Sequence, residues 1–370
     1  MAAGCAGTNV RATPPPVGGP TPAPLPSLAR RFSDLRRHFI FDFYPWYTGP
    51  PGYVHWDYLD RHPPLDLSSN YVPRLGPYDS RDRAVLEQQA RWIADSGAGA
   101  IALSWWGPGD PTDAAVHDIM DVMAAHDIKV TFCQEPYRND RGRFFARDIL
   151  YLLREYGSKR GFDALLLLKD AAGREGPLFK GFSCILPETS TDCHGVTRPV
   201  AGFTPDGLWR EQTDAVREAL RGEFDHVVLL ADSLIMDRAV QSGFDGIAIF
   251  DNYMDPERYA GYAAGASAAG LVFSFNINPG FDSILDRDAL PGSCYTPPAF
   301  APPAGTAIDW TRAEERERAA LLSQKRIAAA FAATLRVQTD PALSNFARGF
   351  FLVYINSFNE WHEGHAFEPM

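Results

Sequence analysis

The sequence predicts a (β/α)8 barrel, a closed ring of eight parallel strands surrounded by helices. Two observations predict this fold. Short apolar runs alternate along the chain with longer segments of helical period, a pattern typical of parallel sheets with crossover helices. The number of apolar runs is eight, as such a barrel requires. A chain of 370 residues is also long enough to bury the core of a single large barrel.

The predicted strands are short and rich in β-branched and aromatic residues. In chain order they cover residues 38–47, 99–106, 129–137, 177–185, 226–232, 245–252, 271–280 and 349–360. A ninth apolar run, residues 163–169, could replace the run at 177–185. An open doubly wound sheet is the competing architecture, although no G-x-G-x-x-G follows the first strand to support a dinucleotide site.

Helical patterns lie between the strands. The first covers residues 81–97, with Asp79 or Ser80 as the predicted N-cap and Gly97 as the stop signal. The others cover residues 113–127, 146–157 and 310–335. Each predicted helix therefore joins two predicted strands, as the barrel requires.

The predicted domain boundary lies near residue 32. Residues 1–31 are rich in Pro, Gly and Ala and have no periodic apolar pattern, so we expect a disordered tail. Residues 32–370 form the predicted barrel domain. Little sequence follows the eighth predicted strand, so a barrel without its last helix is one alternative. Without an eighth helix, we expect apolar surface on that strand to be exposed and the loop after it to be poorly held. The alternative is that the long helix at 309–338 partly covers the strand.

Charge and cysteine content exclude several classes of protein. The net charge is -11 and no basic run is present, so we expect no nucleic-acid partner. The five cysteines are scattered without a C-x-x-C pair, which disfavours a zinc ribbon, although one bridge from Cys184 to Cys193 stays possible. No apolar stretch is long enough for a membrane span. We expect a monomer.

Aromatic, amide and carboxylate side chains cluster at the predicted strand ends. Active sites of barrels are built from these C-terminal ends, so the side chains should meet at one edge of the barrel. They are Tyr44, Trp46, Tyr47, Trp105, Trp106, Glu135, Tyr137, Asp251, Asn252, Asn276, Asn278, Asn359, Glu360, His362 and Glu363. Rings beside hydrogen-bonding groups suit sugars, which stack their C–H faces and bind through hydroxyls.

Two of the carboxylates are the candidate catalytic pair. Hydrolysis of a glycosidic bond needs one acid to protonate the leaving oxygen and a second carboxylate to assist at the sugar. Glu360 and Glu363 are that pair, and Glu135 is a third carboxylate. The segment HEGH does not match H-E-x-x-H, because its two histidines are three residues apart with a glycine between them. We therefore expect no metal and no cofactor.

Several motifs resemble one known family. They are FYPWY followed by VHW, LGPYDSRD, LSWW, EPY, SGFDGI, NPGFD and SFNEWHEG followed by EP. In order, from about residue 38 onwards, they resemble glycoside hydrolase family 99, the endo-α-1,2-mannosidases and endo-α-1,2-mannanases. LGPYDSRD and NEWHEG are the most specific of them.

The resemblance implies a metal-independent, retaining, endo-acting hydrolase of α-mannose-containing glycans on a (β/α)8 barrel. It implies that Glu360 assists the sugar 2-hydroxyl, which attacks the anomeric carbon to form a 1,2-anhydro sugar. Glu363 is then the acid and base, Glu135 and Tyr44 line the pocket, and Trp105 or Trp106 stacks on a sugar. The substrate class further implies a secretory lumen, a periplasm or the cell exterior.

The chain departs from the family pattern at two strands. PLFKGFSCI stands where the family has a Tyr-rich segment, and GIAIFDN carries Phe250 where a hydroxyl is usual. These departures leave two alternatives open. One is a catalytically silent glycan-binding protein, and the other is the same mechanism acting on a different α-linked glycan.

Overall fold

The computed structural model describes residues 28, 31–32, 34–58, 60–250, 254–280 and 308–370. Within them the strands are β1 Phe39–Phe43, β2 Ala100–Trp105, β3 Lys129–Gln134, β4 Leu167–Lys169, β5 Glu175–Gly181, β6 Thr189–Thr191, β7 Thr197–Pro199, β8 Val228–Ala231, β9 Gly246–Ile249, β10 Val272–Phe275 and β11 Val353–Ile355. The α-helices are α1 Arg83–Ser96, α2 Pro111–Ala125, α3 Phe145–Leu152, α4 Asp206–Ala219, α5 Met236–Gln241, α6 Tyr259–Ala268, α7 Ala313–Gln338 and α8 Ser344–Arg348.

Eight of the strands form the parallel barrel that the sequence predicts. Their spatial order is β10-β9-β8-β5-β3-β2-β1-β11. The ring closes just beyond β10, where Ile277 forms a parallel bridge with Ile355. There the Ile277 N–H donates to Tyr354 O at 3.1 Å, and the Asn356 N–H donates to Ile277 O at 3.0 Å. Closure excludes the open doubly wound sheet.

The ninth apolar run does not replace a barrel strand. Its last residues form β4, which pairs antiparallel with β5 outside the ring. The segment 177–185 supplies the fourth barrel strand as β5. A separate exposed hairpin, β6 with β7, follows it.

Side chains alternate between two cores. Along β1, Ile40 faces the barrel interior, whereas Phe41 and Phe43 face the helices. Along β2, Ala100 and Ala102 likewise belong to the interior cluster, while alternate positions pack outside. This alternation is the period of two that any strand imposes on its side chains. It decides which residues at a strand end can reach the site.

Helix α1 begins later than the sequence predicts. Its N-cap is Asp82, whose Oδ1 accepts from the Ala84 N–H at 2.8 Å. Ser80 is not the cap, because its hydroxyl accepts from the Tyr47 N–H and its own N–H donates to Tyr47 O. The predicted stop is confirmed, since Gly97 is the C-cap with φ of 86°, a left-handed conformation that glycine adopts without strain.

The outer side of the last barrel strand is covered. Phe351 and Val353 are buried in a cluster with Leu28, Phe32 and the α7 residue Ala330. For the described residues, the expected exposure of apolar surface on this strand is therefore wrong, and the alternative is confirmed: the long helix α7 packs over the strand. The predicted 1–31 tail lies outside the described residues except for Leu28 and Arg31, so the domain boundary stays a prediction.

Two smaller expectations concern a disulfide and a membrane span. The disulfide from Cys184 to Cys193 that the sequence allowed does not form, because Cys184 is a buried free thiol whose Sγ donates to Gly181 O at 3.1 Å. Among the described helices, none combines the length and the apolar character that crossing a bilayer demands.

Candidate active site

The predicted site residues that the structure describes gather at the C-terminal end of the barrel. Tyr44 follows β1, Trp106 follows β2 and Glu135 follows β3. Glu360 and Glu363 lie in the loop after β11, which is the neighbour of β1 in the ring. Residues far apart in sequence therefore meet because the last strand pairs with the first.

Ser357 fixes the shape of the loop after β11. Its hydroxyl accepts from the Glu360 N–H at 2.8 Å and donates to His365 O at 3.1 Å. Its own N–H also donates to His365 O, at 2.9 Å. A short 3-10 turn, Trp361–Glu363, lies between these anchors and ends at Gly364. The expectation that this loop is poorly held is therefore wrong.

Glu368 connects the same loop to Tyr78 and to helix α1 by hydrogen bonds. Its Oε2 accepts from Tyr78 Oη at 2.7 Å and from Trp361 Nε1 at 2.6 Å, and its Oε1 accepts from Gln89 Nε2 at 2.9 Å. Burial raises the pKa of this carboxyl to about 7. Glu368 is not among the predicted site residues, although the EP dipeptide that contains it is one of the family motifs.

Glu360 and Glu363 share one histidine. His365 is fully buried, and its Nε2 lies 3.2 Å from Glu360 Oε2 and 3.2 Å from Glu363 Oε2. Carboxylate oxygens of the two glutamates lie within 4.8 Å of each other. Glu360 is almost completely buried, whereas 42% of the Glu363 side chain is exposed. One glutamate therefore lies inside the pocket and the other at its opening.

The three groups have different pKa values. Burial and the Glu363 charge raise the pKa of Glu360 to about 7. Burial alone would raise the pKa of Glu363, but the hydrogen bond and charge of His365 bring it below its ordinary value. Burial lowers the pKa of His365, but the two carboxylates raise it more, to about 10. The histidine is thus an imidazolium at neutral pH.

Glu135 and Tyr44 complete the polar part of the pocket. Glu135 is buried, and its Oε1 accepts from Ser104 Oγ at 2.9 Å. Burial and the nearby Glu360 charge raise the pKa of Glu135 to about 8, against the opposing effect of Ser104. The Tyr44 hydroxyl bonds Glu360 and lowers its pKa. Glu360 Oε2 is buried and accepts no well-aligned hydrogen bond from a described residue, so it can receive one from a ligand hydroxyl.

An ion pair lies inside the barrel below these carboxyls. Lys180 Nζ, on β5, donates to Asp42 Oδ1, on β1, at 2.5 Å, and both side chains are about fully buried. Nζ also lies 4.5 Å from the centre of the Tyr354 ring. Burial lowers the pKa of Lys180, but Asp42 raises it above its ordinary value overall. The positive charge in turn lowers the pKa of Glu135.

Aromatic rings form one wall of the opening. Trp46 packs against the Tyr44 ring at 4.6 Å, stacks on His55 at 4.6 Å and lies 6.2 Å from Trp106. His362 lies 5.3 Å from Trp46. Trp46 and Trp106 are partly exposed, so their faces are accessible to a sugar.

Tyr47 supports this wall from behind. It is buried, and its hydroxyl accepts from the Trp361 N–H at 2.7 Å while lying 3.1 Å from His362 Nδ1. Burial lowers the pKa of His362 to about 3, so the ring is neutral. A neutral ring can accept the Tyr47 proton at Nδ1, which leaves its N–H at Nε2.

Three predicted ligand-binding residues are engaged elsewhere. Trp105 is fully buried on the helix side of β2, where its Nε1 donates to Asp113 Oδ1 at 2.8 Å, so it is not placed to stack on a sugar. Tyr137 is partly exposed, but its hydroxyl donates to Asp148 at 2.5 Å. The Asn359 amide is bonded to the backbone of Tyr44.

The remaining predicted residues follow strands β9 and β10. Asn252 and Asp251 lie outside the described residues. Asn276 and Asn278 are buried.

Glu360, Glu363 and His365 also have ligand atoms close enough together to hold a metal ion. A histidine that binds a metal must be neutral at the donor nitrogen. Here His365 Nε2 hydrogen-bonds Glu363 Oε2 and lies at the same distance, 3.2 Å, from Glu360 Oε2, and the pKa of about 10 favours a protonated ring. The arrangement is therefore described as an ion pair.

Comparisons with known proteins connect this site to one family. The sequence model of glycosyl hydrolase family 99 matches residues 35–170. A Mus musculus glycoprotein endo-alpha-1,2-mannosidase-like protein is 27% identical over 378 residues, covering 94% of this chain and 71% of the relative. The glycoprotein endo-alpha-1,2-mannosidase of Xenopus laevis is 25% identical over 361 residues, covering 88% of this chain and 68% of the relative.

A solved structure has the same fold. The GH99 endo-alpha-mannosidase from Bacteroides thetaiotaomicron superposes with a TM-score of 0.60 at 20% sequence identity. The match covers 90% of this chain and 88% of that one. The barrel described above is thus the (β/α)8 barrel of that structure.

Proposed function

We propose that the chain is a divergent member of glycosyl hydrolase family 99, that it is a glycoside hydrolase, and that it cleaves α-mannosidic linkages inside a glycan with retention of configuration. The observation that carries the proposal is the closeness of Glu360 and Glu363, whose oxygens lie within 4.8 Å. Enzymes that invert in a single step separate their two carboxyl groups by about 6.5–9.5 Å to admit a water between carboxylate and sugar, so the present pair is too close for that mechanism.

The proposed mechanism has two steps. Glu360 takes the proton of the sugar 2-hydroxyl, O2 attacks the anomeric carbon, and the glycosidic C–O bond breaks as Glu363 protonates the leaving oxygen. The product is a 1,2-anhydro sugar. In the second step Glu363 takes a proton from water, the water oxygen attacks the anomeric carbon as the bond from that carbon to O2 breaks, and O2 recovers its proton from Glu360. Two inversions give net retention.

The charge state of Glu360 suits the base in this mechanism. Its pKa of about 7 is close to neutral pH, and its Oε2 accepts no aligned bond from a described residue. A base is most effective when its pKa is near the working pH. Tyr44, which bonds the same carboxyl, would hold it towards the sugar.

The low pKa of Glu363 conflicts at first with an acid role. The Glu363 side chain is 42% exposed. A glycan bound at the opening would remove water from this carboxyl, and desolvation favours the protonated form. We therefore assign the acid role to Glu363 in the complex with glycan and attribute its low pKa to the hydrogen bond and charge of His365.

The proposal is tested by incubating the purified protein with α-1,2-linked mannan and with a glucosylated high-mannose glycan. We expect oligosaccharide release by the wild type and a loss of about 10²–10⁴-fold in the Glu363→Gln variant. Glu314→Gln, an exposed position on α7, is the control and should keep full activity. Binding of the glycans without release, equal in wild type and Glu363→Gln, would instead identify a glycan-binding protein.

A further inference from the structure

His365 belongs to neither of the roles assigned so far, yet it contacts both proposed catalytic carboxylates. Its Nε2 lies 3.2 Å from an oxygen of each. Its carbonyl is held by Ser357, the same residue whose hydroxyl accepts from the Glu360 N–H. The ring and the backbone of His365 are therefore both tied to the position of Glu360.

We propose that His365 is a positioning residue whose Nε2 holds Glu360 and Glu363 close together and controls which of them carries a proton. The inference rests on the proposed function, because it assigns the histidine to the same two-carboxylate reaction. Two carboxylates this close repel each other, and without a cation one of them would keep its proton. A buried imidazolium between them allows both to be ionised.

The surroundings of the ring support this role. Among the described residues, the charged and titratable groups that act on it are Glu360 and Glu363 on its own loop, His362 in the preceding turn and Asp42 on β1. Phe250, which follows β9, packs edge-on against it at 5.7 Å. Three of these four groups are acids, and His362 is neutral, so the environment stabilises the cationic ring.

The proposed role predicts that substrate binding changes the protonation of Glu363 and the interaction of His365 with Glu360. A glycan that covers Glu363 raises the pKa of that carboxyl, which then accepts a proton. The His365 N–H can afterwards interact with Glu360 alone, which favours its ionised form. One histidine would thus prepare the base and leave the acid protonated, a coupled behaviour expected of groups that share a proton donor.

The test compares His365→Gln, which keeps an N–H donor without a charge, with the wild type. The first measurement is a ¹³C NMR titration of the glutamate carboxyls in the unliganded protein, which does not depend on turnover. Loss of an opposite charge at this distance raises a carboxyl pKa by about 1–3. We expect the Glu360 carboxyl to titrate at least about one pH unit higher in the variant. No change would overturn the proposal.

The second measurement is the pH profile of kcat on α-mannan. We expect the acidic limb of the profile to move upwards by a similar amount, with KM changed less than about threefold. A fall in kcat at every pH without movement of the limb would show a merely structural role and overturn the inference. If the wild type cleaves no α-mannoside but the titration moves as expected, the proposed function fails while the coupling of His365 stands.

A matched control and a metal test complete the design. His126→Gln removes another histidine that contacts a glutamate, Glu87 at 2.7 Å, on the outer helices, and should change neither measurement. Wild-type activity after dialysis against EDTA should be unchanged. Loss of activity that a divalent metal restores would make His365 a metal ligand and overturn the proposal.

Discussion

The Asn359 side chain bonds both polar groups of the Tyr44 backbone. Its Oδ1 accepts from the Tyr44 N–H at 2.8 Å, and its Nδ2 donates to Tyr44 O at 2.9 Å. Asn359 is fully buried and directly precedes Glu360. The pair therefore joins the end of strand β1 to the proposed catalytic loop and fixes the distance between the Tyr44 hydroxyl and the Glu360 carboxyl.

Replacing Asn359 by alanine should destabilise the protein and reduce activity. The change leaves two buried backbone groups unsatisfied, at about 1–3 kcal/mol each. We expect the free energy of unfolding, measured with urea, to fall by about 2–5 kcal/mol. Asn139→Ala, at an exposed position, should change it by less than about 0.5 kcal/mol. Equal effects of the two changes would contradict the structural role of Asn359.

Activity should fall as the pH decreases below about 7. The proposed base must be ionised, and the pKa of Glu360 is raised to about 7, so protonation at lower pH removes it. An ordinary glutamate would stay active down to about pH 4.3. We expect kcat/KM to decrease about tenfold per pH unit below the limb, and Tyr44→Phe to move the limb upwards because the Tyr44 hydroxyl lowers this pKa.

The pH profile needs circular dichroism at each pH, to show that the fold persists. Glu135 and His365 interact with Glu360, so the measured limb describes the group of residues and not one carboxyl. A limb near pH 4 to 5 would contradict the raised pKa of the base.

Breaking the buried ion pair should cost much more than breaking a surface pair. Lys180→Met leaves Asp42 buried without its partner, so we expect the free energy of unfolding to fall by about 3–5 kcal/mol. Arg221→Met breaks the pair with Glu218, where the side chains are 77% and 69% exposed, and should cost less than about 1 kcal/mol. The double variant Asp42→Leu with Lys180→Met should recover most of the stability in urea unfolding. A double variant as unstable as the sum of the single ones would contradict direct pairing.

The two adjacent tryptophans should have separable effects. Trp106 is partly exposed at the opening, so Trp106→Ala should raise KM about 3- to 10-fold through a lost stacking contact of about 0.5–1.5 kcal/mol, with little change in the melting temperature. Trp105 is buried against α2, so Trp105→Phe should lower the melting temperature and leave KM nearly unchanged. The reverse pattern would place Trp105 at the sugar.

The behaviour of Trp105 illustrates what the sequence pattern could have revealed. Residues alternate across a strand, so an interior Ala102 implies an interior Ser104 and an exterior Trp105. The same reasoning applied along β5 places Lys180 inside, next to Leu178. A prediction from strand ends alone, without this alternation, does not reveal the ion pair between Lys180 and Asp42 below the site.

Barrel closure and the convergence of the site were predictable, because eight strands and their C-terminal ends can be read from apolar runs. The contacts of His365 were not. Its shared position between Glu360 and Glu363 depends on a turn whose shape is set by Ser357, and HEGH alone was informative only as a failed metal motif. The N-cap of α1 was also missed, because Ser80 pairs with Tyr47 across the fold.

The most direct test of the central claim is the configuration of the first product. Time-resolved ¹H NMR of α-mannan cleavage distinguishes the anomer formed by the enzyme from the one that mutarotation produces later. Since oxygens of Glu360 and Glu363 lie within 4.8 Å, the account predicts that the α-anomer appears first. Initial release of the β-anomer would contradict it.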